Sequence, residues 1–121
     1  MSSIISRFKN IKFLINNSNV NIIAVSKTFP YDVISPLVDY GHLHYGENKV
    51  QEAYFKWFEV KKKNPNISLH MIGKLQSNKA KEAVRLFDYI HSLDSTKLAN
   101  ILAKQENIVN KKLKYFIQVN L

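Results

Sequence analysis

The sequence contains no cysteine, only three glycines and only three prolines. The absence of cysteine excludes disulfide bonds and thiolate chemistry, and it is compatible with a cytoplasmic protein. So few glycines leave no glycine-rich loop of the kind that cradles phosphate in P-loop or dinucleotide-binding proteins. No apolar run approaches the roughly 18 residues of a membrane-spanning helix, so we expect no membrane segment.

Arginine is also scarce, although the chain is strongly basic. The net charge of +9 comes from 18 basic and 9 acidic residues, yet the only arginines are Arg7 and Arg85. Arginine is the preferred residue for bidentate recognition of phosphates and bases. The composition therefore argues against a nucleic-acid-binding protein, whose mark would be a steep salt dependence of binding.

The rest of the composition is typical of a globular domain. Hydrophobic residues make up 45% of the 121 residues, including one tryptophan, six tyrosines and seven phenylalanines, which is enough for one domain with a modest core. The segment from Met1 to Lys9 lacks the features of a signal peptide and is typical of the start of an amphipathic helix. We expect a single domain over residues 1–121.

Short apolar runs alternate with helical patterns along the chain. The spacing predicts helices near residues 4–17, after Pro30 as far as Gly41, near 48–63, from Ser77, and from Asp94 or Ser95. Strands are predicted near residues 21–26, 43–46, 68–72, 89–92 and 115–119. Ile11 and Ile15 are expected on the apolar face of the first helix, and Trp57 is expected in the core.

This alternation predicts a parallel sheet with flanking helices. Two architectures fit it: an open doubly wound sheet, and the first part of a (β/α)8 barrel. The pattern alone slightly favours the open sheet, because a complete barrel needs roughly 200 residues or more.

Lys27 follows the first predicted strand directly. An amine at the end of a buried strand can be partly desolvated, which lowers its pKa and frees its lone pair. Such an amine can form a Schiff base with an aldehyde such as pyridoxal 5'-phosphate (PLP). Taken alone, however, a lysine after a strand is more commonly a solvated surface residue.

Several motifs occur in a fixed order after that lysine. They are residues 24–28 (AVSKT), 45–52 (YGENKVQE), 70–79 (HMIGKLQSNK), 90–95 (IHSLDS) and 116–120 (FIQVN). From about Ile22 to the last residue, the chain resembles the pyridoxal phosphate homeostasis proteins, the YggS/PROSC-like family related to the barrel half of alanine racemase.

The resemblance implies a partial (β/α)8 TIM-type barrel, containing about the first five strands, rather than an open sheet. Family members bind PLP as a Schiff base, and Lys27 matches their lysine. The resemblance therefore implies a PLP-binding protein of vitamin B6 and amino-acid homeostasis that is a carrier or regulator rather than an enzyme. The family's second lysine, two residues further on, is replaced here by Phe29.

In the family, the phosphate-binding residues lie in the half of the barrel that this chain lacks. Either the chain is a fragment or a degraded gene product, which we favour, or a second chain completes it. Two alternatives to the carrier follow: a fragment without independent function, and the remnant of a racemase-like PLP enzyme. Full-length members are expected to be monomers, whereas the open strand edges of this shorter chain make self-association plausible.

Polar residues at the ends of the other strands are candidates for the cofactor site. We expect Asn48, Ser77 and Asn78 to contact PLP. A helix cap is an equal alternative for Asn48 and a slightly favoured one for Ser77. Glu47 is either a rim charge or a partner of Lys27. Gly73 fits a positive φ or a close backbone approach.

The four histidines lack the spacing of metal ligands, so no metal site is predicted. We expect them to be core or rim residues with satisfied ring nitrogens. Of the four, His70 is expected to lie closest to the mouth of the barrel.

Overall fold

The computed structural model describes residues 3–17 and 19–121. Met1, Ser2 and Ser18 lie outside the described residues, and so does the part of the predicted N-terminal helix that falls on Met1 and Ser2. The helices are α1 (Ser3–Ile15), α2 (Tyr31–Tyr40), α3 (Val50–Lys63), α4 (Ala80–Leu86) and α5 (Thr96–Val109). The strands are β1 (Ala24–Val25), β2 (His44–Glu47), β3 (Ser68–Met71), β4 (Tyr89–Leu93) and β5 (Lys114–Ile117). Every predicted helix and strand is present.

The strands form one sheet in the order β1-β2-β3-β4-β5, and every neighbouring pair is parallel. A doubly wound sheet reverses its strand order part-way across, whereas a barrel adds each new strand beside the previous one. The sequential order therefore confirms the partial (β/α)8 barrel, and the open doubly wound alternative is wrong.

Alternation along the strands gives the sheet two different faces. On the face that packs against the helices, Tyr45, Leu69, Met71 and Ile90 are buried. Trp57 of α3 is fully buried there, with its ring 4.7 Å from that of Tyr45, so its predicted place in the core is confirmed.

The opposite side of the sheet, which we call the open face, carries the alternate residues. Aromatic rings dominate it: His44, His70, Tyr89, His91 and Phe116 make ring contacts from β2 across to β5. In a closed barrel this face would be the interior.

Two elements differ from their predictions. β1 has two residues instead of six, because its ladder with β2 contains only the pairs Ala24–Tyr45 and Val25–Gly46. In α1 only Ile5 and Phe8 are buried, since the helix packs on α2. Ile11 and Ile15 are therefore exposed, and their predicted burial was wrong.

The helix ends follow local chemistry closely. α2 ends at Gly41, whose φ of +107° is strained for any residue with a side chain. Ser95 caps α5, because its hydroxyl accepts a hydrogen bond from the Leu98 N–H at 3.1 Å. The helix expected from Ser77 starts as a 3₁₀ turn and becomes α-helical at Ala80.

Candidate functional site

Lys27 lies just beyond β1, at the edge of the sheet where the strands end. Its side chain is exposed, and its amine makes no hydrogen bond or ion pair with any described residue. Ser26 points towards the helices, and Lys27 follows it as the first residue of the turn beyond the strand. The prediction that this amine is partly desolvated was wrong for this structure, because the Lys27 side chain is exposed.

The backbone around Lys27 forms a short turn, residues 26–29, which we call the lysine turn. Its start continues the sheet, as the Ser26 N–H donates to the Gly46 carbonyl at 2.9 Å. It closes through the Phe29 N–H, which donates to the Ser26 carbonyl at 3.3 Å. Phe29, the position where the family's second lysine was expected, is exposed.

Glu47 is neither a rim charge nor a partner of Lys27. It is fully buried, and one carboxylate oxygen, Oε2, accepts hydrogen bonds from Ser26 Oγ at 2.6 Å, Trp57 Nε1 at 2.9 Å and Lys56 Nζ at 2.9 Å. Its other oxygen, Oε1, is buried without a partner among the described residues. Both predicted roles of Glu47 were wrong because its side chain points to α3.

The other side of the lysine turn is held by Glu52. Its Oε1 accepts a hydrogen bond from the Thr28 N–H at 2.7 Å and lies 3.8 Å from the Lys56 amine. Thr28 has a φ of +67°, a left-handed conformation that is uncommon for a β-branched residue. The turn is therefore fixed in an unusual backbone shape.

Asn48 and Gly73 meet where β2 and β3 end. A Cβ on Gly73 would lie 2.7 Å from Asn48 Cβ and 2.8 Å from the Asn48 carbonyl oxygen. The predicted close approach is confirmed, and the alternative of a positive φ is wrong. Asn48 does not cap α3: the cap position is Lys49, without a side-chain bond, and Asn48 Oδ1 is buried without a described partner.

Ser77 and Asn78 lie in the 3₁₀ turn after β3. Ser77 makes no capping bond, since the residue preceding the turn is Gln76 and α4 is preceded by Lys79. A groove of about 790 Å³ brings Asn48 together with Gly73, Lys74 and Gln76, but neither Lys27 nor the pair Ser77 and Asn78 lines it. The structure thus gathers Asn48 and the loop after β3, but not the whole predicted set.

Three histidines form a hydrogen-bonded row on the open face. His44 Nδ1 lies 3.0 Å from His70 Nε2, and His70 Nδ1 lies 2.9 Å from His91 Nε2. Burial first, and then the neighbouring His44 and His91, lowers the pKa of His70 to about 4. The satisfied nitrogens predicted for His70 are confirmed, whereas the Nε2 of His42 is buried without a described partner.

The prediction that His70 lies closest to the mouth of the barrel among the four histidines was wrong. His70 pairs in register with Gly46 and Tyr89, and His91 lies two residues beyond Tyr89 on β4, so His91 is nearer to the ends of the strands. Within residues 3–17 and 19–121, no group of three or more histidine, cysteine or acidic side chains is arranged to hold a metal ion. No helix in the same ranges is long and apolar enough to cross a membrane.

Curated proteins with similar sequences share one name. The chain is 38% identical over 105 residues to the pyridoxal phosphate homeostasis protein of Vibrio cholerae, covering 85% of this chain and 44% of the relative. It is 39% identical over 104 residues to the protein of that name from Pasteurella multocida, covering 86% and 45%. No protein-family model matches the chain.

A solved structure agrees with these relatives. The structure of PipY from Synechococcus elongatus with PLP bound is 40% identical and superposes with a TM-score of 0.84, covering 93% of this chain and 54% of PipY. The resemblance to the N-terminal half of the pyridoxal phosphate homeostasis proteins is confirmed. The chain spans about half the length of the curated relatives that it matches.

The structure also brings residues to the lysine turn that sequence reasoning missed. Glu52 and Lys56 flank the lysine turn, and Trp57 contributes a hydrogen bond as well as packing. The sequence does show Lys56 one helical turn after Glu52, which is a common spacing for an ion pair. That spacing predicts an ion pair on the surface, whereas the Lys56 side chain is only 6% exposed.

Proposed function

We propose that the chain binds PLP through Lys27 and belongs to the cytoplasmic homeostasis of vitamin B6 and amino acids. The single observation that carries this proposal is the exposed, unpaired Lys27 amine on a rigid turn at the end of β1. The names of the relatives and the bound PLP of PipY support the choice of ligand.

The residues present fit the aldehyde end of PLP. The Lys27 amine would attack the aldehyde carbon, form a carbon–nitrogen double bond and release one water molecule. At the neighbouring strand end, Asn48 lines the groove beside β3 and its Oδ1 has no described partner, and we propose that this oxygen accepts a hydrogen bond from the ligand. We also propose Ser77 and Asn78, in the 3₁₀ turn after β3, as contacts of the cofactor.

We further propose that the chain is a carrier or regulator rather than an enzyme. Bound PLP supplies an electron sink for the chemistry of amino acids, but turnover also needs a placed acid or base. Glu47 and Lys56 are the titratable side chains bonded to the lysine turn at Ser26, and they are bonded to each other on the helix side. Neither is free to exchange a proton with a ligand on the open face.

The test is to mix the chain with PLP, record visible absorbance, reduce with borohydride and identify the labelled lysine by peptide mass spectrometry. We expect a visible band, and after reduction a single adduct on Lys27 that Lys27→Ala abolishes. Lys97→Ala, which removes another exposed lysine, is the matched control and should label normally.

Two other results would contradict the proposal. The absence of a visible absorbance band, or adducts scattered over many lysines, would mean that this chain has no PLP site of its own. Release of a converted amino acid by the loaded chain would favour the racemase-like remnant over the carrier.

A further inference from the structure

Side chains of α3 and β2 hold the lysine turn from both ends. At its start, Lys56 Nζ donates to the Ser26 carbonyl at 2.6 Å, and Ser26 Oγ donates to Glu47 at 2.6 Å. At the residue after Lys27, the Thr28 N–H donates to Glu52 at 2.7 Å. We call Glu47, Glu52 and Lys56 the turn clamp.

The burial of the turn clamp indicates more than a contribution to stability. The Glu47 side chain is fully buried and that of Lys56 is 6% exposed. Two charges taken out of water at this depth recover their desolvation penalty only with good geometry, and an apolar pair of similar volume is often equally stable. A buried ion pair that bonds the backbone beside Lys27 is therefore better explained by the placement of that backbone.

The conformation of Thr28 supports the same interpretation. Its φ of +67° is sparsely populated for threonine, and such a residue persists when the surrounding structure holds it. The bond to Glu52 is the only hydrogen bond to the Thr28 N–H among the described residues. Released from Glu52, the turn would be free to relax, and Lys27 would move with it.

We propose that Glu47, Glu52 and Lys56 are positioning residues, which fix the lysine turn so that the Lys27 amine is presented to the aldehyde of PLP. This inference rests on the proposed function, because it assumes that Lys27 is the residue that binds. None of the three needs to touch the ligand: each acts through the backbone of Ser26 or Thr28, or through the Ser26 hydroxyl.

The experiment compares Glu52→Ala with Glu52→Gln in the PLP titration and in borohydride trapping. Loss of the acceptor should weaken PLP binding and slow trapping at Lys27 by about tenfold, the ratio expected for one hydrogen bond to a charged group. Glutamine keeps an oxygen that can accept from Thr28, so it should restore most of the binding. Glu59→Ala on the same helix is the control, since Glu59 is exposed and lies 3.9 Å from Lys62 alone.

A second readout does not depend on PLP. Hydrogen exchange of the Thr28 amide should accelerate in Glu52→Ala but not in Glu52→Gln or Glu59→Ala, while the melting temperature stays within a few degrees. For the buried pair, Glu47→Gln combined with Lys56→Met removes both charges together, which avoids leaving one of them unpaired. It should weaken trapping in the same direction.

The outcomes separate the inference from the function on which it rests. If the wild-type chain takes up no PLP, the proposed function fails and the positioning role fails with it. If the wild type binds PLP and Glu52→Ala binds equally well with unchanged amide exchange, the positioning role alone is overturned. A parallel loss in Glu52→Gln would also overturn it, because the hydrogen-bond acceptor would then be irrelevant.

Discussion

Gly73 sets how closely the ends of β2 and β3 approach each other. An added methyl group would lie under 3 Å from three atoms of Asn48, two of which belong to its backbone, so the strand ends would have to separate. Overpacking of this kind costs about 1–3 kcal/mol. We therefore expect Gly73→Ala to lower the free energy of unfolding by that amount, as measured by urea denaturation.

Gly46→Ala is the comparison variant for Gly73→Ala, because Gly46 is also a glycine in a crowded place. Its methyl group would meet only side-chain atoms of Ile23 and Ile72, at 3.2 Å, and these can shift by a few tenths of an ångström. Its loss of stability should be smaller than that of Gly73→Ala. Equal losses would show that the close approach to Asn48 is not what requires glycine at position 73.

The histidine row that joins β2, β3 and β4 predicts how these elements respond to acid. Unfolded histidine titrates near pH 6.5, whereas burial, with His44 and His91 beside it, lowers the pKa of folded His70 to about 4. Between these values the unfolded chain binds a proton that the folded chain does not. The free energy of unfolding should therefore fall as the pH is lowered from 6.5 towards 4, by up to about 1.4 kcal/mol per pH unit for one histidine.

His70→Phe tests this prediction, because phenylalanine keeps a ring against Tyr89 but cannot titrate. Asp88, which favours the charged form of His70, and the other carboxylates are present in both proteins, so their own titration largely cancels in the comparison. Urea denaturation at several pH values between 6.5 and 4.5 should give a shallower slope for the variant. Identical slopes would mean that the pKa of His70 is the same in the folded and unfolded chain, and the prediction would fail.

How much the sequence predicts differs among the elements. Gly41 and Ser95 ended or began helices where expected, since both act within a few residues of chain. The first strand was predicted too long, because its length depends on where β2 begins beside it. The position of His70 within the sheet depended in the same way on pairing with β2 and β4, which local pattern does not specify.

Because local pattern does not specify contacts between distant elements, the sequence predicted only part of the candidate site. Lys27 was identifiable because its position, directly after an apolar run, is a local feature. The turn clamp was not, because Glu47 and Lys56 come together only when α3 packs against the sheet. A hydrophobic period predicts that α3 is amphipathic, and it assigns charged residues to the solvent side.

At the scale of the whole molecule, the unpaired edges of the sheet and the net charge act in opposite directions. In the described structure β1 pairs only with β2 and β5 only with β4, and Ile117 on β5 is 75% exposed. Such edges favour association between chains, whereas the charge of +9 opposes it. Because salt screens repulsion over about 10 Å at 0.1 M, we expect self-association to strengthen as salt concentration rises.

Analytical ultracentrifugation across a salt series measures this balance. Ile117→Lys places a charge on the open edge, so it should shift the equilibrium towards monomer at every salt concentration while leaving the melting temperature nearly unchanged. Ile108→Lys adds the same charge at an exposed position on α5 rather than on the edge strand. If both variants shift the equilibrium equally, net charge alone controls association; a wild-type chain that stays monomeric at high salt would show that the edges do not pair at all.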